Sequence, residues 1–119
     1  MPKINYNNRL FAPVSNSESG EVSSNTVFEY HQQGDVVWAE YRGGDVVFGN
    51  LIAKAQPDGS LDMRYPHVNR KGALMTGVCE STPEVLKDGR IRLHEKWRWT
   101  SGDNSQGESV IEEVSGKGV

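Results

Sequence analysis

Short turn signals recur along this chain at intervals too tight for long helices. Gly34-Asp35, Gly43-Gly44, Asp58-Gly59 and Asp88-Gly89 are dipeptides of the kind that close two-residue hairpins. Such turns need positive φ, which Gly or Asp supplies at small steric cost. Asn69-Arg70-Lys71-Gly72 and Ser101-Gly102-Asp103-Asn104 read as slightly longer turns. The segments between are rich in Val, Ile, Thr and aromatic residues, which suit a pleated, half-buried surface. This punctuation predicts eight strands, over residues 9–15, 26–33, 36–42, 45–55, 60–69, 73–86, 90–101 and 106–114. No stretch carries a helical period and no internal repeat is present. The Ser-rich loop 16–25 is expected to be flexible, and 115–119 to form a disordered tail.

Eight strands joined by hairpins make an up-and-down meander. Left open, it would expose two unpaired edges. Closed, it becomes an eight-stranded antiparallel barrel whose interior holds side chains or one small ligand. At 119 residues the chain suits a single β-barrel domain spanning 1–119.

Composition removes several classes of function. No run approaches the roughly 18 apolar residues of a membrane span. The start, Met1 to Asn8, lacks the apolar core of a signal peptide, so a cytoplasmic location is expected. The formal net charge is -3 and the basic residues are scattered, with Glu95 inside the densest run (Arg90, Arg92, Lys96, Arg98). Nucleic-acid binding, which rests on neutralising phosphates, is not expected. Cys79 is the one cysteine and reads as a small buried hydrophobe. His31, His67 and His94 stand in no metal-binding spacing, so a metal would have to recruit Glu80 and Glu95 beside His67 across the barrel. No nucleophile elbow, phosphate-binding loop or dinucleotide fingerprint occurs. Neither a cofactor, a metal nor a catalytic residue is therefore assigned.

Two-residue turns also set the register. Gly34-Asp35 places Tyr30 opposite Ala39 and Phe28 opposite Tyr41 on an apolar face, with His31 opposite Trp38 and Glu29 opposite Glu40 outside. Gly43-Gly44 would then set Tyr41 against Val46, Ala39 against Phe48 and Val37 against Asn50. Asp58-Gly59 would set Ile52 against Tyr65 and Asn50 against His67. Asp88-Gly89 would set Leu86 against Ile91, Glu80 against Trp97 and Val78 against Trp99. The interior so derived holds Phe28, Tyr30, Tyr41, Phe48, Tyr65, Trp97 and Trp99, with the polar groups Asn50, His67, Thr76, Glu80 and Glu95. Aromatic walls with a few converging polar groups fit a small-ligand cavity, or a filled interior whose polar groups satisfy one another. Glu80 and Glu95 on one face could also serve as an acid and base pair. Outside, Val36, Trp38, Val47 and Leu51 would cluster, with Trp38 over Gly49. Such an apolar patch points to homo-oligomer contacts, or to cover by the N-terminal strand or the Ser-rich loop.

Four segments carry a family resemblance: Gly49 to Ala53, Met63 to Asn69, Met75 to Pro83 and Gly89 to Asp103. Over about Tyr30 to Val114 they resemble a group of small uncharacterised bacterial proteins that often carry the label N-acetylglutamate synthase. The label implies an acyltransferase. As a fold, the group is similar to avidin within the lipocalin-type (calycin) barrels, which implies small-ligand binding. Avidins hold biotin with tryptophans and strand-borne polar groups, and Trp97, Trp99, Tyr41 and Asn50 are similar in kind. The biotin-contacting motif itself has no residue-by-residue counterpart.

The sequence thus favours a non-enzymatic barrel for a small polar or aromatic ligand. Tyr41, Tyr65, Trp97 and Trp99 form its expected wall, and Asn50, His67, Glu80 and Glu95 its orienting groups. The alternatives are an acyltransferase or carboxylate hydrolase, or a filled barrel acting through protein contacts at Trp38. No membrane partner is expected.

Overall fold

A computed structural model describes residues 4–16, 26–102 and 104–114. The Ser-rich loop, apart from Asn16, and the tail 115–119 lie outside the described residues. Eight strands follow in chain order: β1 (Arg9–Asn16), β2 (Val27–Gln33), β3 (Val36–Gly43), β4 (Val46–Ala55), β5 (Leu61–Asn69), β6 (Leu74–Val85), β7 (Ile91–Trp99) and β8 (Gln106–Glu113). Each pairs antiparallel with the next, and β8 pairs back with β1, so the sheet is a closed barrel. The fold class expected from the turn signals is the one observed. Among the described residues no helix is long and apolar enough to cross a membrane.

The register differs from the expected one in an instructive way. Gly34-Asp35 is a two-residue turn, and Phe28↔Tyr41, Tyr30↔Ala39 and His31↔Trp38 pair as expected. The two Asp-Gly turns are not. The Gln56 N–H bonds the Ser60 carbonyl at 2.8 Å while the Gly59 N–H bonds the Gln56 carbonyl at 2.9 Å, and Leu86, Gly89 and Arg90 repeat the pattern. Gly59 and Gly89 both sit at φ 90°. Each is the left-handed last residue of a three-residue connection, a conformation that favours Gly. Asp58 and Asp88 stiffen these turns by accepting the N–H of Ser60 and Arg90. One extra loop residue moves the register by one and exchanges the faces of one strand against its neighbour.

Two strands are affected. Between β3 and β4 the turn lies at Gly44-Asp45, with Gly43↔Val46, and a bulge then brings Tyr41 opposite Gly49. Asn50, Phe48 and Ile52 consequently face outward and Leu51 inward, the reverse of the expected faces. The one-residue shift after Gly59 exchanges the faces again, so Tyr65 and His67 point inward as expected. Between β6 and β7, Cys79 rather than Glu80 stands opposite Trp97, and Gly77 rather than Val78 opposite Trp99. Glu80 is therefore exposed on the outside, and Thr76 bonds its outward neighbour Thr100 at 2.8 Å.

The interior is divided along the barrel axis. At the end reached by the turns 34–35, 56–60 and 86–90, Val37, Ala53, Leu61, Ile91, Leu93 and Ile111 are buried. Removing each large apolar side chain from water stabilises the fold by about 1.5–3 kcal/mol. Tyr6, ahead of β1, closes this end. Its ring lies tilted against Tyr30 at 6.0 Å, and its hydroxyl donates to the Gly59 carbonyl at 2.6 Å. Nearby, the Arg9 guanidinium donates to the buried Glu113 carboxylate at 2.7 Å, which also accepts the Ile91 N–H. The opposite end is aromatic.

Candidate functional site

Inward residues on neighbouring strands stand side by side, and three such rows lie in the interior. In the first, Tyr41 (β3), Gly49 (β4) and His67 (β5) are in direct register. The absence of a side chain at Gly49 lets the Tyr41 ring lie across it. A Cβ there would stand 2.5 Å from His67 Cβ and 2.7 Å from Tyr41 Cζ. The Tyr41 hydroxyl reaches His67 Nδ1 and shares a 3.0 Å hydrogen bond with it. The second row repeats the device with Tyr65 (β5), Gly77 (β6) and Trp99 (β7). Tyr65 crosses Gly77 and meets Trp99 edge-on at 5.6 Å. His67 meets Trp99 at 5.4 Å and Trp97 meets it at 5.9 Å. A continuous aromatic wall results.

The third row is polar. Ser81 (β6), Glu95 (β7) and Ser109 (β8) stand in register. The Ser81 hydroxyl donates to Glu95 Oε2 at 2.8 Å and that of Ser109 to Oε1 at 3.4 Å. Burial pushes the Glu95 carboxyl up to about 7, against the two serine bonds that favour its charged form. No Lys or Arg among the described residues compensates it. Its side chain is deep in the barrel and still keeps part of its surface accessible. Cys79, two residues before Ser81, is buried, and burial holds its thiol far above neutrality. It is a protonated core residue and no nucleophile. The Tyr30 hydroxyl is sealed inside and finds no hydrogen-bond partner among the described residues.

Of the residues expected to line the site, Tyr41, Tyr65, His67, Glu95, Trp97 and Trp99 share the interior. Asn50 and Glu80 do not join them. Asn50 is exposed opposite Glu40. Glu80 stands between Asp62 and Lys96 on the outer face, along an open groove of about 1100 Å³. The Glu80–Glu95 acid and base pair is therefore not formed, and neither is the metal set that needed Glu80. No cluster of three or more His, Cys, Asp or Glu suited to a metal occurs among the described residues. Sequence reasoning missed Ser81 and Ser109, the partners of Glu95. The signal was the three-residue form of the Lys87-Asp88-Gly89 turn, which sets Ser81 rather than Glu80 on the inward face.

The family model described as avidin-like protein matches residues 4–114. No curated protein and no solved structure matches the chain. The N-acetylglutamate synthase label finds no support. Helix-borne binding of an acetyl-CoA pyrophosphate has no counterpart in the eight strands described.

Proposed function

The chain belongs to the avidin-like protein family, and from that premise we propose that it binds a small ligand inside the barrel without transforming it. Glu95 is the observation that carries this reading. A barrel that needed only filling would continue the apolar series of Ile91 and Leu93 along β7. A carboxylate at that depth costs several kcal/mol unless something offsets it. Two neutral serines offset it in part, and its accessible surface points to space beside it. Tyr65, Trp97, Trp99 and the Tyr41–His67 pair supply an aromatic wall of rings set edge-on and tilted to one another.

Native mass spectrometry on protein purified gently from its expression host tests this reading. An additional small mass, released on denaturation and lost in Trp97→Ala, is the expected result. A bare chain mass, with no thermal shift from any member of a chemically diverse small-molecule library, overturns it.

One observation favours a second reading, a barrel working through its outer surface. Trp38 and Ile52 stand opposite each other on the outside and are 37% and 60% exposed. Homo-oligomer contact at this face is compatible with an occupied interior.

A further inference from the structure

We infer that the interior selects a flat, cationic nitrogen compound, an amidinium or a protonated heteroaromatic amine, seated with its N–H groups on Glu95 and its ring against Trp97 and Tyr65. This rests on the reading that the barrel binds a small ligand, and names the chemical class that the site takes.

The charge balance leads to that class. Glu95 lies on the third inward position of β7, flanked on both sides by serines whose hydroxyls donate into its two oxygens. These bonds fix the carboxylate plane, and a carboxylate has acceptor capacity for roughly four bonds. Two positions remain for a ligand. Both neighbours are donors, no Lys or Arg among the described residues offsets the charge, and the nearby Tyr65 and Cys79 are held in their neutral forms by burial. A second anion entering this space would face Glu95 unshielded. A neutral amide could satisfy one oxygen only partly, whereas an amidinium presents two parallel N–H groups in the geometry that a carboxylate accepts bidentately.

The walls select in the same direction. Trp97 follows Glu95 at the next inward position of β7, with Trp99 beyond it 5.9 Å away ring to ring. Faces of indole and phenol rings attract cations, and planar ligands gain from offset or edge contact with them. Because burial holds the carboxyl near neutrality, a cation brought beside it also draws it into its charged form.

Three planar probes of nearly equal size separate the possibilities: benzamidinium, benzamide and benzoate. Each is titrated against the 15N-labelled full chain at pH 7.5, with amide shifts locating the site and tryptophan fluorescence following affinity. Ligands of this size bind in roughly the millimolar range. Benzamidinium is expected to bind at least about tenfold more tightly than benzamide, with shifts on Cys79, Glu95, Trp97 and Trp99, and benzoate not at all. Glu95→Gln should abolish the preference for the cation and leave weak benzamide binding in place. Ser81→Ala, a milder change that keeps the carboxylate, should reduce the preference without removing it. Benzamide or benzoate binding inside as tightly as benzamidinium overturns the charge assignment and leaves the ligand-binding reading standing. The same holds if the preference survives in Glu95→Gln. Shifts confined to outward residues such as Glu80 and Glu108 overturn the assignment too, by placing the cation in the outer groove. If none of the three probes perturbs an inward residue, the charge assignment fails, and native mass spectrometry decides the broader reading separately.

Discussion

At the scale of single residues, Glu95 ties stability to the space around it. Its carboxyl titrates near 7 in the barrel against an ordinary value of 4.5. Between those two pH values the unfolded chain has released this proton while the folded chain still holds it. Stability therefore falls as pH rises through this window, and the loss is complete above about pH 7. Glu95→Gln removes that slope. Urea unfolding of the ligand-free protein should show the variant more stable than the parent by about 3 kcal/mol at pH 8. Near pH 4 the two should differ little. A parallel pH dependence in both proteins would show that Glu95 is not held in the uncharged form. Legibility was uneven at this scale. That Glu95 belongs inside with Trp97 and Trp99 follows from strict alternation along β7. That Ser81 and Ser109 are its partners does not, because it depends on how two neighbouring strands are aligned.

Among the elements, the rows Tyr41–Gly49–His67 and Tyr65–Gly77–Trp99 join three strands each through a missing side chain. Gly77→Ala tests the device, since its Cβ would lie 2.5 Å from Tyr65 Cζ and 2.9 Å from the Arg98 carbonyl oxygen. The phenol ring must leave its place over β6 to make room. Overpacking of this kind costs about 1–3 kcal/mol. A loss in that range by chemical denaturation, with an altered near-ultraviolet circular dichroism from Trp99, is expected; unchanged stability and spectrum would mean that the ring has room to move. The strands themselves were readable in the sequence to within about two residues, because hydrophobic alternation and turn residues are local properties. Their faces were less so. An Asp-Gly dipeptide serves both a two-residue turn and the final positions of a three-residue one, and the difference is one residue of register. On β4 the bulge that sets Tyr41 opposite Gly49 misplaced Asn50; on β6 the ambiguity of Asp88-Gly89 misplaced Glu80. The faces of β5 came out correctly because two odd displacements cancel.

For the molecule as a whole, the proposals concern two places, the aromatic part of the interior and the outer face around Trp38. His31 packs against Trp38 at 5.7 Å ring to ring, and the exposed Val36 and Ile52 extend the apolar area. If this face joins copies of the chain, sedimentation should give a mass above that of the monomer that falls on dilution. The double variant Trp38→Glu, Ile52→Glu should then sediment as a monomer with its barrel intact. A monomeric parent at every concentration removes the proposal. The all-β class, the strand count and the up-and-down order were determined by the sequence alone, because each is set by patterns within a few residues of the chain. Which inward side chains become neighbours, and which faces of β4 and β6 turn inward, was decided only by the tertiary structure. A residue's face depends on alternation within its strand, but its neighbours depend on loop length, bulges and the pairing of β8 with β1. Closure therefore brings Ser81, Glu95 and Ser109 into one row and leaves Asn50 and Glu80 outside.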